Sequence, residues 1–113
     1  SQAGTLVDDK VFLVTGATDG IGKFTAELLA KQENAVTIIH GRSPEKVRKT
    51  VNELARKTGS DKLHGVVADL SIMSNVRSFA DEVKERFPRI HGLLNNAGTF
   101  DGDYTGRRVV TAE

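Results

Sequence analysis

The 113-residue chain predicts a three-layer α/β fold, an open parallel sheet doubly wound with helices on both faces. Three observations point there. Short apolar runs lack the polar alternation of half-exposed strands, amphipathic helical stripes sit between those runs, and no hairpin signal joins any two of them. Parallel neighbours need a crossover connection, and a helix supplies it with right-handed sense.

Lys10-Val11-Phe12-Leu13-Val14-Thr15 is rich in β-branched and aromatic residues and is closed by Gly16, so it reads as a first strand buried on both faces. From Gly20 to Gln32, Ile21, Phe24, Leu28 and Leu29 recur at three- and four-residue steps and mark one face of a helix. Ala35 to Ile39 is a second continuous apolar run. Ser43-Pro44-Glu45-Lys46 then offers an N-cap, a proline at the first helical position and an acid in the first turn. Val47, Val51, Leu54 and Ala55 carry the next stripe, with Gly59 at the expected C-cap. Leu63 to Ala68 predicts a third strand. After Asp69-Leu70-Ser71, Val76, Phe79, Ala80, Val83 and Phe87 share a helical face, which Pro88 ends. Ile90 to Leu94 is a short fourth strand bounded by Asn95-Asn96. The order is βαβαβαβ, with predicted strand order 3-2-1-4 and residues 1–113 forming part of a single unit. Thr99 to Gly106 mixes glycine and aspartate without a period and reads as a loop, and Thr111-Ala112-Glu113 looks like a helix just begun.

Composition narrows the function classes. The 16 Lys+Arg and 15 Asp+Glu balance to +1, with no basic run of the kind that neutralises a nucleic-acid backbone, so nucleic acid is not an expected partner. No apolar stretch approaches the roughly 20 residues of a membrane-crossing helix, and Ser1-Gln2-Ala3-Gly4-Thr5 carries neither the basic start nor the apolar core of a secretory signal. The absence of cysteine excludes disulfides, thiolate metal sites and cysteine nucleophiles, and fits a reducing compartment such as the cytoplasm.

The strongest chemical signal is Thr15-Gly16-Ala17-Thr18-Asp19-Gly20-Ile21-Gly22, set between the first strand and the first helix. A diphosphate laid against main chain needs glycines there, both for positive φ in the turn and to remove the Cβ that would block approach. The helix that follows aims its unpaired N–H groups and positive dipole end at the anion. Gly-x-x-x-Gly-x-Gly preceded by Thr, together with Asp69-Leu70 after the third strand and Asn95-Asn96-Ala97-Gly98 after the fourth, resembles the short-chain dehydrogenase/reductase family of NAD(P)-dependent oxidoreductases, which have a Rossmann-type fold.

That resemblance covers roughly residues 9 to 98 and only the N-terminal half of a family member. It implies that Gly16, Gly20, Ile21 and Gly22 line the diphosphate, with Thr18 in the same turn. Asp69 and Leu70 would meet the adenine, and Asn96, Ala97 and Gly98 would border the ribose near the nicotinamide; Asn95 or Asn96 would equally brace the sheet. At the end of the second strand an acid would bind the ribose 2′-OH of NAD, whereas an arginine accommodates the 2′-phosphate of NADP. Gly41 stands where the acid would be and Arg42 follows it, with the Ser43 hydroxyl alongside, so the expected cofactor is NADP(H). Asp19 is expected to turn its oxygens onto backbone amides as a cap, and Lys23 to be solvated or to offset that charge. His40, His64 and His91 are too far apart for a local metal motif and are expected in packing or surface roles, so no metal is assigned.

Family chemistry implies a hydride exchanged between nicotinamide and a carbonyl or alcohol carbon, with a Tyr, a Lys four residues later and a Ser handling the substrate oxygen. In this chain no Lys follows Lys84 and no Ser follows Ser78. Tyr104 with Arg108 is rejected as a substitute, because arginine stays protonated and the pair lies close behind Gly98. No catalytic residue is therefore assigned, and the expectation is a fragment holding the cofactor-binding half of an enzyme that acts on a small-molecule carbonyl or alcohol. Gly41-Arg42-Ser43 and Asp69-Leu70-Ser71 look most like the subgroup of retinol dehydrogenases and protochlorophyllide reductases. A homo-oligomer is a further possibility the resemblance implies. The alternative is a non-catalytic NADP(H)-binding or interaction module.

Overall fold

The computed structural model describes residues 8–96. Strands β1 (Lys10–Thr15), β2 (Ala35–Gly41), β3 (Leu63–Val67) and β4 (Gly92–Asn95) alternate with helices α1 (Gly20–Ala30), α2 (Pro44–Thr58) and α3 (Met73–Arg86). The strands form one parallel sheet in the order β3-β2-β1-β4, so the Rossmann-type doubly wound arrangement expected from the sequence is the one observed. Leu13 sits at its centre, opposite Ile38 on one side and Leu93 on the other. Strand β2 runs two residues further than its apolar run, to Gly41, and β4 starts at Gly92 rather than Ile90.

Alternation along the central strands splits the core into two layers. Val11, Leu13, Val36, Ile38 and Val66 pack with Phe79, Val83 and Phe87 from the α3 side. Val14, Ala17 and Ile39 pack with Ala26 of α1 and Leu54 of α2 on the opposite face. The local signals of α2 act as expected: the Ser43 Oγ accepts from the Lys46 N–H at 3.2 Å, and Gly59 closes the helix at φ 75°. Lys62 reaches the fully buried carboxylate of Asp9 at 3.0 Å and ties the start of β1 to the start of β3.

Two expected helix faces need correction. The buried stripe of α1 is Gly22, Ala26 and Ala30, with Leu29 partly covered, whereas Ile21, Phe24 and Leu28 are exposed, Ile21 by 75% and Phe24 by 61%. The cause is the short distance between α1 and the end of β1. A Cβ on Gly22 would lie 2.2 Å from the Gly16 carbonyl oxygen, so only small residues fit beneath the helix and the large ones turn away. On α3, Phe79 and Val83 are buried as expected but Ala80 is exposed. Lys23 is also corrected: its ammonium pairs with Glu53 of α2 at 2.8 Å, where it links the two helices instead of facing Asp19.

Leu54→Ala should lower unfolding free energy by about 2–5 kcal/mol, the range for a truncated, fully buried leucine, as read from urea unfolding of the full chain. The exposed Leu28→Ala on the same sheet face should change it by less than about 0.5 kcal/mol.

Candidate functional site

Because the strands are parallel, their carboxyl ends all open on one edge, and the loops leaving them enclose a cleft of about 520 Å³. Gly16, Thr18 and Asp19 line it from the β1–α1 loop, His40 to Ser43 and Lys46 from the end of β2 and the first turn of α2, Asp69 to Ser71 from the segment after β3, and Asn96 from the end of β4.

The first loop has the form a bound anion needs. Gly16 and Gly20 adopt φ of 59° and 58°, a left-handed backbone that glycine takes without strain. The first helical hydrogen bond of α1 runs from the Lys23 N–H to the Asp19 carbonyl at 3.2 Å, which leaves the N–H groups of Gly20, Ile21 and Gly22 ahead of it without partners among the described residues. Asp19 occupies the N-cap in extended backbone, yet its carboxylate makes no cap hydrogen bond, contrary to the sequence expectation. It is exposed at the cleft wall, where water solvates it, so the amide end of α1 stays open to another anion. Gly20, Ile21 and Gly22, expected at the site, follow Asp19 in the first turn of α1 and are not among the residues lining the cleft; the Ile21 side chain is exposed to solvent, so only its backbone is available to a ligand there.

The second loop leaves no room for a side chain at Gly41. A Cβ there would come within 2.6 Å of Thr18 Cγ2 and 2.9 Å of Val47 Cγ2, so an acid at this position would displace both neighbours. Beyond Gly41 stand the exposed guanidinium of Arg42, the Ser43 cap and Lys46. Lys46 escaped the sequence reading, although its place three residues after an N-cap serine puts it on the same helix end as Arg42.

In the third segment the Asp69 Oδ1 accepts from the Ser71 hydroxyl at 2.7 Å and the Ser71 N–H at 3.1 Å. These bonds, aided by the charge of Arg42, hold the Asp69 carboxyl below its ordinary value. Leu70 is half-buried against the α3-side core. At β4, the Thr15 hydroxyl donates to Asn95 Oδ1 at 3.0 Å and accepts from the Asn96 N–H at 2.9 Å, while Asn96 Nδ2 donates to the Gly16 carbonyl at 3.3 Å. Both asparagines thus brace β4 against β1. Ala97 and Gly98, expected near the nicotinamide ribose, lie outside the described residues, as do Tyr104 and Arg108.

The three histidines are structural in different ways. His91 Nδ1 accepts from the Val11 N–H at 2.9 Å, and His64 packs edge-on to Phe87 with centroids 5.0 Å apart. His40, 2% exposed, accepts from the Gly16 N–H and reaches the Ala68 carbonyl, so it borders the cleft in a way the sequence did not reveal.

A glycine turn, an open helix end and a basic corner at the carboxyl edge of a parallel sheet are features of the Rossmann-type class of α/β proteins. The chain belongs to the short chain dehydrogenase family, whose profile matches residues 10–111. Polyprenol dehydrogenase from Homo sapiens is 39% identical over 90 residues, which cover 80% of this chain and 27% of that protein. Chanoclavine-I dehydrogenase easD from Arthroderma benhamiae is 32% identical over 96 residues, 85% of this chain and 39% of its own. The chain therefore spans well under half the length of these relatives. Among solved structures, a variant of actinorhodin polyketide ketoreductase with NADPH superposes with a TM-score of 0.72 at 35% identity, covering 83% of this chain and 35% of that one. L-Sorbose reductase from Gluconobacter frateurii, complexed with NADPH and L-sorbose, gives 0.72 at 29% identity over 86% and 36% of the two chains.

Ser71→Ala should move the Asp69 carboxyl part of the way back toward its ordinary value of 3.8 in a carbon-detected NMR titration, because it removes the hydroxyl bond, the largest cause of the lowering, while the backbone N–H bond from residue 71 remains. The linkage sign follows from the lowered folded value: the Asp69 contribution to stability is present above 3.8 and is lost as pH falls through that lowered value, so the variant should show a weaker loss in this acid window.

Proposed function

We propose that the chain holds the adenosine and diphosphate of NADP(H) and forms the N-terminal, cofactor-binding part of an oxidoreductase. The observation that carries this reading is the corner at the end of β2, where Gly41 has no space for a ribose-binding acid and Arg42, Ser43 and Lys46 converge. A 2′-phosphate there would take a forked pair of bonds from Arg42 and the field of Lys46 at the N-terminal end of α2. The diphosphate would rest on Gly16 to Gly22, where positive-φ glycines and the unpartnered first-turn amides of α1 fit an anion and the solvated Asp19 remains to one side. The adenine would lie beside Asp69 and Leu70, with Asn96, Ala97 and Gly98 leading toward the nicotinamide end.

When bound, nicotinamide supplies or accepts a hydride. The work assigned to this chain is to bind and orient the cofactor. Groups that handle the substrate oxygen are assigned to the remainder of the protein, and the described residues alone are proposed to be inactive. The resemblance of Gly41-Arg42-Ser43 and Asp69-Leu70-Ser71 to retinol dehydrogenases and protochlorophyllide reductases, together with the likeness to a polyprenol dehydrogenase, favours a hydrophobic alcohol or carbonyl as substrate.

Arg42→Ala should weaken NADP(H) binding by about 10- to 100-fold, the effect of removing a charged hydrogen-bond donor, while NAD(H) binding should change little. Calorimetric titration of both cofactors against the full chain at two salt concentrations checks this. A variant that keeps its preference for NADP(H) would defeat the assignment.

A further inference from the structure

His40 is the last side chain on the α3-facing side of β2, buried at 2% exposure, and it is bonded on both nitrogens. The Gly16 N–H donates to Nδ1 at 3.0 Å, so Nδ1 must carry a lone pair. Nε2 stands 2.9 Å from the Ala68 carbonyl oxygen, which can only accept, so Nε2 must carry the proton. The two partners therefore select one neutral tautomer. Phe79 of α3 meets the ring edge-on at 5.0 Å and 64° and fixes its plane. Gly16 is the first glycine of the phosphate-cradling turn, and Ala68 immediately precedes Asp69 on the adenine side. One imidazole thus spans the two loops that would grip opposite ends of the nucleotide's adenosine diphosphate.

We propose that His40 is a positioning residue for the dinucleotide site, a latch whose neutral Nε2–H form alone holds the Gly16 turn at its binding distance from the Asp69 segment. The inference rests on the proposed NADP(H) reading for the ligand, though not for the latch itself. A proton added at Nδ1 would set an N–H against the Gly16 N–H, so that bond breaks and a buried donor is left without an acceptor. Main-chain bonds beside it survive, from the Ala17 N–H to the His40 carbonyl at 2.8 Å and from the Ala68 N–H to the Gly41 carbonyl at 3.1 Å. Protonation therefore releases the Gly16 N–H, while the Gly16 carbonyl keeps its bond from Asn96 Nδ2 and the sheet stays intact.

The surroundings resist that proton. Asp19 from the first loop, Arg42 from the end of β2, Lys46 from α2 and Asp69 from the segment after β3 line the same cleft, two cations against two carboxylates, and α3 presents the uncharged Phe79 ring. With the charges balanced, burial decides, and it pushes the imidazole below 6.5 against a smaller opposing pull from the Ala68 carbonyl. The latch is closed at neutral pH and opens in acid.

The test uses three forms of the full chain, with folding checked by circular dichroism at each pH. His40→Asn places an amide oxygen near the position of Nδ1, keeps an acceptor for Gly16 and does not titrate in this range. His40→Leu fills space without an acceptor. At pH 7.5 the Asn form should bind NADPH within a few-fold of wild type and the Leu form about tenfold more weakly. As pH falls below the ring's own pKa, wild-type affinity should fall by up to about tenfold per pH unit more than that of the Asn form. The 2′-phosphate titrates near pH 6 in both and cancels in the comparison. Without nucleotide, protection of the Gly16 amide from hydrogen exchange should collapse over the same range in wild type and stay level in the Asn form. Equal pH slopes for wild type and Asn, or wild-type affinity in a folded Leu form, would overturn the latch. Should Leu fail to fold, the Asn comparison decides. No NADPH binding at any pH would instead defeat the cofactor reading, and the Gly16 exchange profile would still decide the latch.

Discussion

The contact between Gly22 and the carbonyl of Gly16 is the constraint on which the site depends. With no Cβ at Gly22, α1 can settle against the end of β1, and its open amide end then starts beside Asp19 on the cleft wall. The same closeness demands Ala26 and Ala30 further along the helix, and it lets Asn96 reach the Gly16 carbonyl from β4. A methyl group at Gly22 would meet both that carbonyl and the Asn96 amide, so it would disturb three elements together.

Strand order and loop identity were legible because they follow from patterns that few folds share. Continuous apolar runs joined by helices force parallel pairing, and Gly16, Gly20 and Gly22 mark where main chain must bend left-handed or come close to other backbone. The buried face of α1 was not legible, because the helix carries two stripes: the large residues Ile21, Phe24 and Leu28, and the small ones Gly22, Ala26 and Ala30. Periodicity weights bulk, whereas the close-packed interface accepted the small stripe. His40 was missed for a related reason. A polar side chain ending an apolar run signals burial, but its partners are backbone groups 24 and 28 residues away, which no local pattern reveals. Asp19 and Lys23 failed as expectations because each was read against its nearest neighbours in sequence, and Glu53 on another helix took the lysine.

The electrostatics of the cleft divide by loop. Backbone amides and glycine dominate where the chain leaves β1, side-chain cations where it leaves β2, and a carboxylate after β3 that is held charged by the Ser71 hydroxyl and amide. The cations and the Asp69 carboxylate thus stand on separate walls, with the exposed Asp19 carboxylate beside the amide end of α1, so a ligand carrying phosphates at one end and hydrogen-bond donors at the other fits better in one orientation than in the reverse.

The crowding around Gly41 has an evolutionary corollary. An acid at this position would set its Cβ against Thr18 Cγ2 and Val47 Cγ2, so both side chains would have to give way for it to be accepted. Thr18 belongs to the Gly16–Gly22 turn, so under the proposed NADP(H) reading the residue allowed at position 41 and the shape of that turn are inherited together.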